Sequence, residues 1–253
     1  MKKLSTRSIR KSKGEKKLSM LTCYDFQSAQ ALNESNVDMI LVGDSLGNIV
    51  LGHETTIPVL LENMIMFGKA VRKGAQNKFL VVDLPFGSYH SLEQGLTNAV
   101  KLFQETNADA LKLEGANPIE LSLIERLTQI GVPVIGHVGL KPQHVKQKGG
   151  YFIEGKTHSQ ANSLLEDVRA LQKVGVFSIV LECIVPEVAQ NLTKDLKIIT
   201  IGIGSGSETD AQVLVLNDLL GDSKQTPPSF CKPINNLYEQ KLKSINQFVE
   251  NTK

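Results

Sequence analysis

Phe79-Leu80-Val81-Val82-Asp83 runs four apolar residues together and ends in an acid. After an amphipathic stretch, residues 91–107, the form returns as Ala110-Leu111-Lys112-Leu113-Glu114. A short run that is apolar at nearly every position suits a strand buried on both faces, as in parallel sheets with helices packed outside. Ser91 is a natural N-cap for the intervening helix, with Glu93 in its first turn. Moving outward, the same phrase recurs at 18–25, 39–44, 133–137, 177–182, 198–204 and 213–216. Helical patterns fill 58–73, 118–130, 158–174 and 186–194, most with proline near the start or glycine at the stop. Eight strands alternating with helices in 253 residues read as an α/β fold of the (β/α)8 TIM-barrel type, with an open doubly wound sheet as the alternative. The eighth strand is the least marked, because residues 212–220 read equally as helix. The expected organisation is a single barrel domain over 1–253, with a basic N-terminal segment (1–17) and a C-terminal helical extension (about 221–253) after Pro227-Pro228.

Composition narrows the function classes. Hydrophobic residues are 41% and charged residues 21%, which excludes a disordered or fibrous chain. No apolar run approaches the ~18 residues of a membrane span. Cys23, Cys183 and Cys231 are odd in number and form no CxxC pair, so a reducing, cytoplasmic setting is expected rather than a disulfide framework. The net charge of +2 hides an asymmetry. Residues 1–17 carry Lys2, Lys3, Arg7, Arg10, Lys11, Lys13, Lys16 and Lys17 against Glu15 alone, and the remainder holds 20 basic and 25 acidic residues. A mildly acidic body argues against a nucleic-acid enzyme. The basic end reads as a solvated segment, with a nucleic-acid arm or a transit peptide as alternatives; the lack of an apolar core in it excludes a secretory signal.

Asp25, Asp44, Asp83, Glu114, His137 and Glu182 each fall at the C-terminal end of an expected strand. In a barrel those ends form one rim, where active sites are built. One acid after a strand is usually a turn or cap residue. Five on one rim would repel one another unless protons or a cation relieved them, which points to a hard divalent ion such as Mg2+. Zinc-ligand spacing is absent from the cysteines and histidines. Lys112 and Glu114, two apart on one strand, share a face. Lys112 either neutralises Glu114 or receives a substrate carboxylate. Cys183 follows Glu182 and is expected to face the helices as a core residue. Gly202, Gly204 and Gly206 can cradle a phosphate or simply serve a turn.

These residues sit in a run of short motifs: Thr22-Cys23-Tyr24-Asp25, Val42-Gly43-Asp44-Ser45-Leu46-Gly47, Asp83-Leu84-Pro85-Phe86, Lys112-Leu113-Glu114-Gly115, Gly136-His137-Val138-Gly139-Leu140, Gly149-Gly150-Tyr151, Leu181-Glu182-Cys183 and Ile201-Gly202-Ile203-Gly204. In this order they resemble the ketopantoate hydroxymethyltransferase family, over residues 22 to 216. The resemblance implies a barrel of the phosphoenolpyruvate/pyruvate superfamily. It implies transfer of a one-carbon unit from 5,10-methylenetetrahydrofolate to 3-methyl-2-oxobutanoate, giving 2-dehydropantoate for pantothenate and coenzyme A synthesis. It implies one Mg2+ per subunit on Asp44, Asp83 and Glu114, substrate contacts from Asp44, Ser45, Asp83, Lys112 and His137, and Glu182 as the proton acceptor. It also implies a cytoplasmic homo-oligomer, a decamer as in the family, with small-molecule partners and neither nucleic acid nor membrane. A comparable upstream segment in that family weighs against a transit peptide. The chain departs from the family pattern at Ala116 and Ala211, where glycine is usual, with Ala211 at an expected helix start. Ser205 replaces alanine and Asn217 replaces histidine. A lyase or phosphonomutase of the same superfamily, and a catalytically dead barrel, are the rival readings; the dead barrel is disfavoured because Asp44, Asp83, Lys112, Glu114 and Glu182 are all present.

Overall fold

The computed structural model describes residues 3–253, so Lys2 of the basic run lies outside the described residues. Eight parallel strands close a barrel in chain order: β1 Leu18–Thr22, β2 Met39–Val42, β3 Phe79–Asp83, β4 Ala110–Lys112, β5 Val134–Gly139, β6 Ser178–Glu182, β7 Ile199–Ile203 and β8 Ala211–Leu214. Strand order never reverses, so the open doubly wound sheet is excluded. The helices are α1 Thr6–Lys11, α2 Phe26–Glu34, α3 Leu46–Ile49, α4 Leu61–Gly74, α5 Leu92–Thr106, α6 Pro118–Gln129, α7 Val145–Lys148, α8 His158–Lys173, α9 Pro186–Asp195, α10 Leu216–Leu220 and α11 Leu237–Thr252.

Local chemistry sets several boundaries away from the expected ones. β1 stops at Thr22 because Asp25 is the N-cap of α2, its Oδ1 accepting from the Ser28 N–H at 2.8 Å. Asp25 is exposed and does not join the rim acids. Helix α4 starts after Pro58, at Leu61, where the Asn63 side chain accepts the Leu60 N–H. Residues 212–220 divide between the end of β8 and helix α10. Ala211 therefore opens a strand, fully buried in the barrel core, rather than a helix.

Inside the barrel the period-two ladder stacks apolar layers first. Met20, Met39, Leu41, Phe79, Val81, Ala110, Ile135, Val180, Ile199 and Ile201 form one buried cluster. Ile9 from α1 joins it and is wholly buried. The basic segment is tied down as well. Lys13 reaches Asp210 at 2.7 Å and the Thr193 carbonyl at 2.8 Å, Lys16 pairs with Asp38 at 2.9 Å, and Lys3 pairs with Asp109 at 2.7 Å. Lys17 donates to the carbonyls of Ser207 and Thr209. The segment is thus a folded plug with an apolar anchor, neither a solvated tail nor a free arm.

The chain divides into two compact units, the first ending at Val213 and the second being Leu214–Lys253. In the second, Asn236 caps α11 and Lys241 pairs with Asp222. Leu242, Ile245, Phe248 and Val249 of α11 are exposed. No helix among the described residues is long and apolar enough to cross a membrane.

Candidate active site

Continuing the ladder toward the C-terminal strand ends changes its chemistry. Above Val81 comes Asp83, above Ala110 come Lys112 and Glu114, above Ile135 comes His137, and above Val180 comes Glu182. Register places Asp83 beside Lys112 and Gly139 beside Glu182. Asp44 follows β2, and its backbone N–H donates to Asp83 Oδ2 at 3.1 Å. A Cβ on Gly43 would lie 2.8 Å from Ser45 Oγ, so a side chain there would displace the Ser45 hydroxyl. Asp44, Asp83, Lys112, Glu114 and His137 are all buried, whereas the Glu182 side chain keeps 17% exposure. The structure thus brings together every expected site residue except Asp25.

Lys112 Nζ lies 3.1 Å from Asp83 Oδ1 and 3.2 Å from His137 Nδ1, so its ion pair is with Asp83 rather than Glu114. Burial opposes its charge, but Asp83, Glu114 and Asp44 outweigh that and hold it protonated. Burial and the nearby Lys112 push His137 well below its usual value, so the imidazole is neutral. With Nδ1 facing an ammonium, the ring proton sits on Nε2. Nε2 lies 3.1 Å from Glu182 Oε2 but off the line of a hydrogen bond, leaving the contact electrostatic.

Four carboxylates therefore share one cation. Burial pushes Asp83 up to about 7 against the pull of Lys112, with Asp44 adding to the rise. Burial also raises Glu182 to about 7, again against Lys112. Burial lifts Asp44, and burial together with Asp44 lifts Glu114 well above the carboxylate range. Asp83 Oδ1 and Glu114 Oε1 are buried without hydrogen bonds. This deficit of positive charge and spare oxygens fits a hard divalent cation. Among the described residues no three acidic, histidine or cysteine side chains form a ready metal cage. Asp44, Asp83 and Glu114 therefore do not stand as a preformed three-ligand site.

The rim is closely packed around Glu182. Gly139 has φ 91°, and a Cβ there would strike the Glu182 carbonyl. Cys183 has φ 49°, is only partly buried rather than a core residue, and burial raises its thiol to about 12, so it stays protonated. Ser45 Oγ is 2.8 Å from the buried Tyr24 hydroxyl. Of the departures, Ser205 is buried and donates to the Leu181 carbonyl at 2.8 Å while accepting from the Ile184 N–H at 3.0 Å, so its hydroxyl bolts down the loop after Glu182. Ala116 lies in the loop before α6, and Asn217 lies in α10 of the second unit. Tyr24, Tyr89 and Gln143 were not singled out in the sequence. Gln143 is buried against Asp44, Glu114 and Tyr89. Only its place just after a barrel strand could have flagged it.

The family model for ketopantoate hydroxymethyltransferase matches residues 3–253. The chain belongs to this enzyme family. A relative from Syntrophus aciditrophicus, named 3-methyl-2-oxobutanoate hydroxymethyltransferase, is 46% identical, covering 99% of this chain and 93% of its own. One of the same name from Thermotoga neapolitana is 46% identical, covering 99% and 92%. Among solved structures, a putative phosphonomutase from Burkholderia cenocepacia superposes with TM-score 0.67 at 14% identity, covering 98% of each chain. A 2,3-dimethylmalate lyase of the PEP mutase/isocitrate lyase superfamily gives 0.59 at 13%, covering 82% and 80%. At such identities the structures speak for the barrel fold alone.

Proposed function

We propose that the chain transfers a hydroxymethyl group from 5,10-methylenetetrahydrofolate to 3-methyl-2-oxobutanoate, giving 2-dehydropantoate for pantothenate synthesis, as a cytoplasmic homo-oligomer of the family's decameric kind. The observation that carries this reading is the buried rim cluster of four carboxylates around Lys112, in a chain of this family. Asp44 and Asp83 would hold one Mg2+, with Glu114 joining them directly or through water. When bound, the ion would serve as a Lewis acid toward the keto oxygen.

The chain's own groups supply the rest. Lys112 hydrogen-bonds His137 and is ion-paired with Asp83, which leaves ammonium hydrogens placed to take the substrate carboxylate with Ser45. Glu182 is the most accessible carboxylate of the cluster, and a value near neutrality suits a base at cellular pH. It takes the proton from the carbon beside the ketone, and that carbon bonds to the methylene carbon of the folate donor as the two C–N bonds to that methylene break. Water supplies the hydroxyl, and the freed folate nitrogens take up the C3 proton and the second proton of water. His137, neutral, lines the pocket with its Nε2–H beside Glu182.

Proton removal needs no folate, so it can be tested alone. In deuterated water with Mg2+ and keto acid, the wild type should exchange the substrate's C3 proton, followed by NMR. Glu182→Gln should bind keto acid yet lose both exchange and product formation. Exchange at the wild-type rate in this variant would move the base elsewhere, with His137 next in line.

A further inference from the structure

Gln143 lies in the 3-10 turn Pro142–His144 that follows β5, and its side chain is buried. Its Nε2 donates to Asp44 Oδ2 at 2.8 Å and to the Leu84 carbonyl at 3.0 Å. Its Oε1 accepts from the Tyr89 hydroxyl at 2.6 Å. Its backbone N–H, left without a partner inside so short a helical turn, points to Glu114 Oε2 at 3.2 Å. The amide can face only one way. A flipped amide would set its oxygen against a carboxylate and a carbonyl, neither of which can donate. Tyr89, also buried, must therefore be the donor to Oε1. The result is a directed chain from Tyr89 through Gln143 to Asp44, with a branch to Glu114.

This one residue occupies one oxygen on each of two rim acids. Asp44 is left with Oδ1 and Glu114 with Oε1, and the latter is buried without a hydrogen bond. Outer residues that orient ligating carboxylates through hydrogen bonds tune metal sites strongly. We propose that Gln143, fixed by Tyr89, is the positioning residue that presents Asp44 and Glu114 to the divalent cation. This rests on the metal reading above. The loop after β5 thereby becomes part of the metal site without supplying a ligand.

The test is equilibrium Mn2+ binding to the metal-free full-length protein, followed by electron paramagnetic resonance and calorimetry, with no substrate present. Gln143→Leu should weaken Mn2+ roughly 10–100-fold, the usual range for such outer residues. Tyr89→Phe, which deletes one hydroxyl, should produce a smaller loss. The double variant should be no weaker than Gln143→Leu, because Tyr89 acts through Gln143. Far-UV circular dichroism and Tm report folding separately. Should Gln143→Leu fail to fold, Tyr89→Phe decides alone. An Mn2+ Kd unchanged in the folded variants, or fully additive losses, overturns the inference and leaves the metal site standing. A wild type that binds no Mn2+ overturns both.

Discussion

Lys112 extends its buried ammonium between Asp83 Oδ1 and His137 Nδ1, at 3.1 and 3.2 Å. One of its hydrogens goes to His137, while the Asp83 contact is an ion pair without a hydrogen bond. A hydrogen left for a ligand is what separates a structural lysine from one that receives an anion. Lys112→Met should weaken keto-acid binding by about 2–4 kcal/mol, the scale of losing a buried charged partner. The comparison that isolates the role uses 3-methyl-2-butanone, which lacks the carboxylate. Wild type should discriminate against it strongly and the Met variant hardly at all. Undiminished discrimination in the variant would confine Lys112 to neutralising Asp83. Asp44, Asp83, Glu114 and Glu182 were legible because each closes an apolar run. Asp25 carried the same signature and misled, since its spacing to Ser28 also makes it a helix cap. Gln143 had no signature, because an amide in a loop becomes informative only when folding sets it against two acids 99 and 29 positions away.

The strands and most helices were readable from apolar runs punctuated by Pro and Gly, which are local signals. Helix α1 was not, because a lone Ile9 among basic residues gives no periodicity. Its meaning comes from the barrel end that receives it. Ile9→Ala should destabilise the protein by about 2–5 kcal/mol, as for other fully buried aliphatic truncations. The urea midpoint reports this directly. A midpoint unmoved by the substitution would restore the solvated-segment reading.

Across the molecule, the crowded rim links stability to pH. In the metal-free protein, burial holds Asp83 and Glu182 near 7, above an unfolded carboxylate. The folded state then binds more protons than the unfolded state between roughly pH 4 and 7, and stability falls as pH rises through that window. Melting in chelator should therefore show Tm declining from pH 5.5 to 8, and Mg2+ should flatten the decline. A Tm that holds or climbs in chelator would mean that these acids are not strained. The plug described above also sets a schedule for synthesis. Lys13 finds Asp210 only 197 residues later, and the Leu18 N–H donates to the Asp210 carbonyl. At a typical ribosomal pace, roughly 10–40 s pass between the emergence of the two. Through that interval Lys13 and the Leu18 N–H lack their partner, so the segment before β1 completes its hydrogen bonds only once residue 210 has emerged.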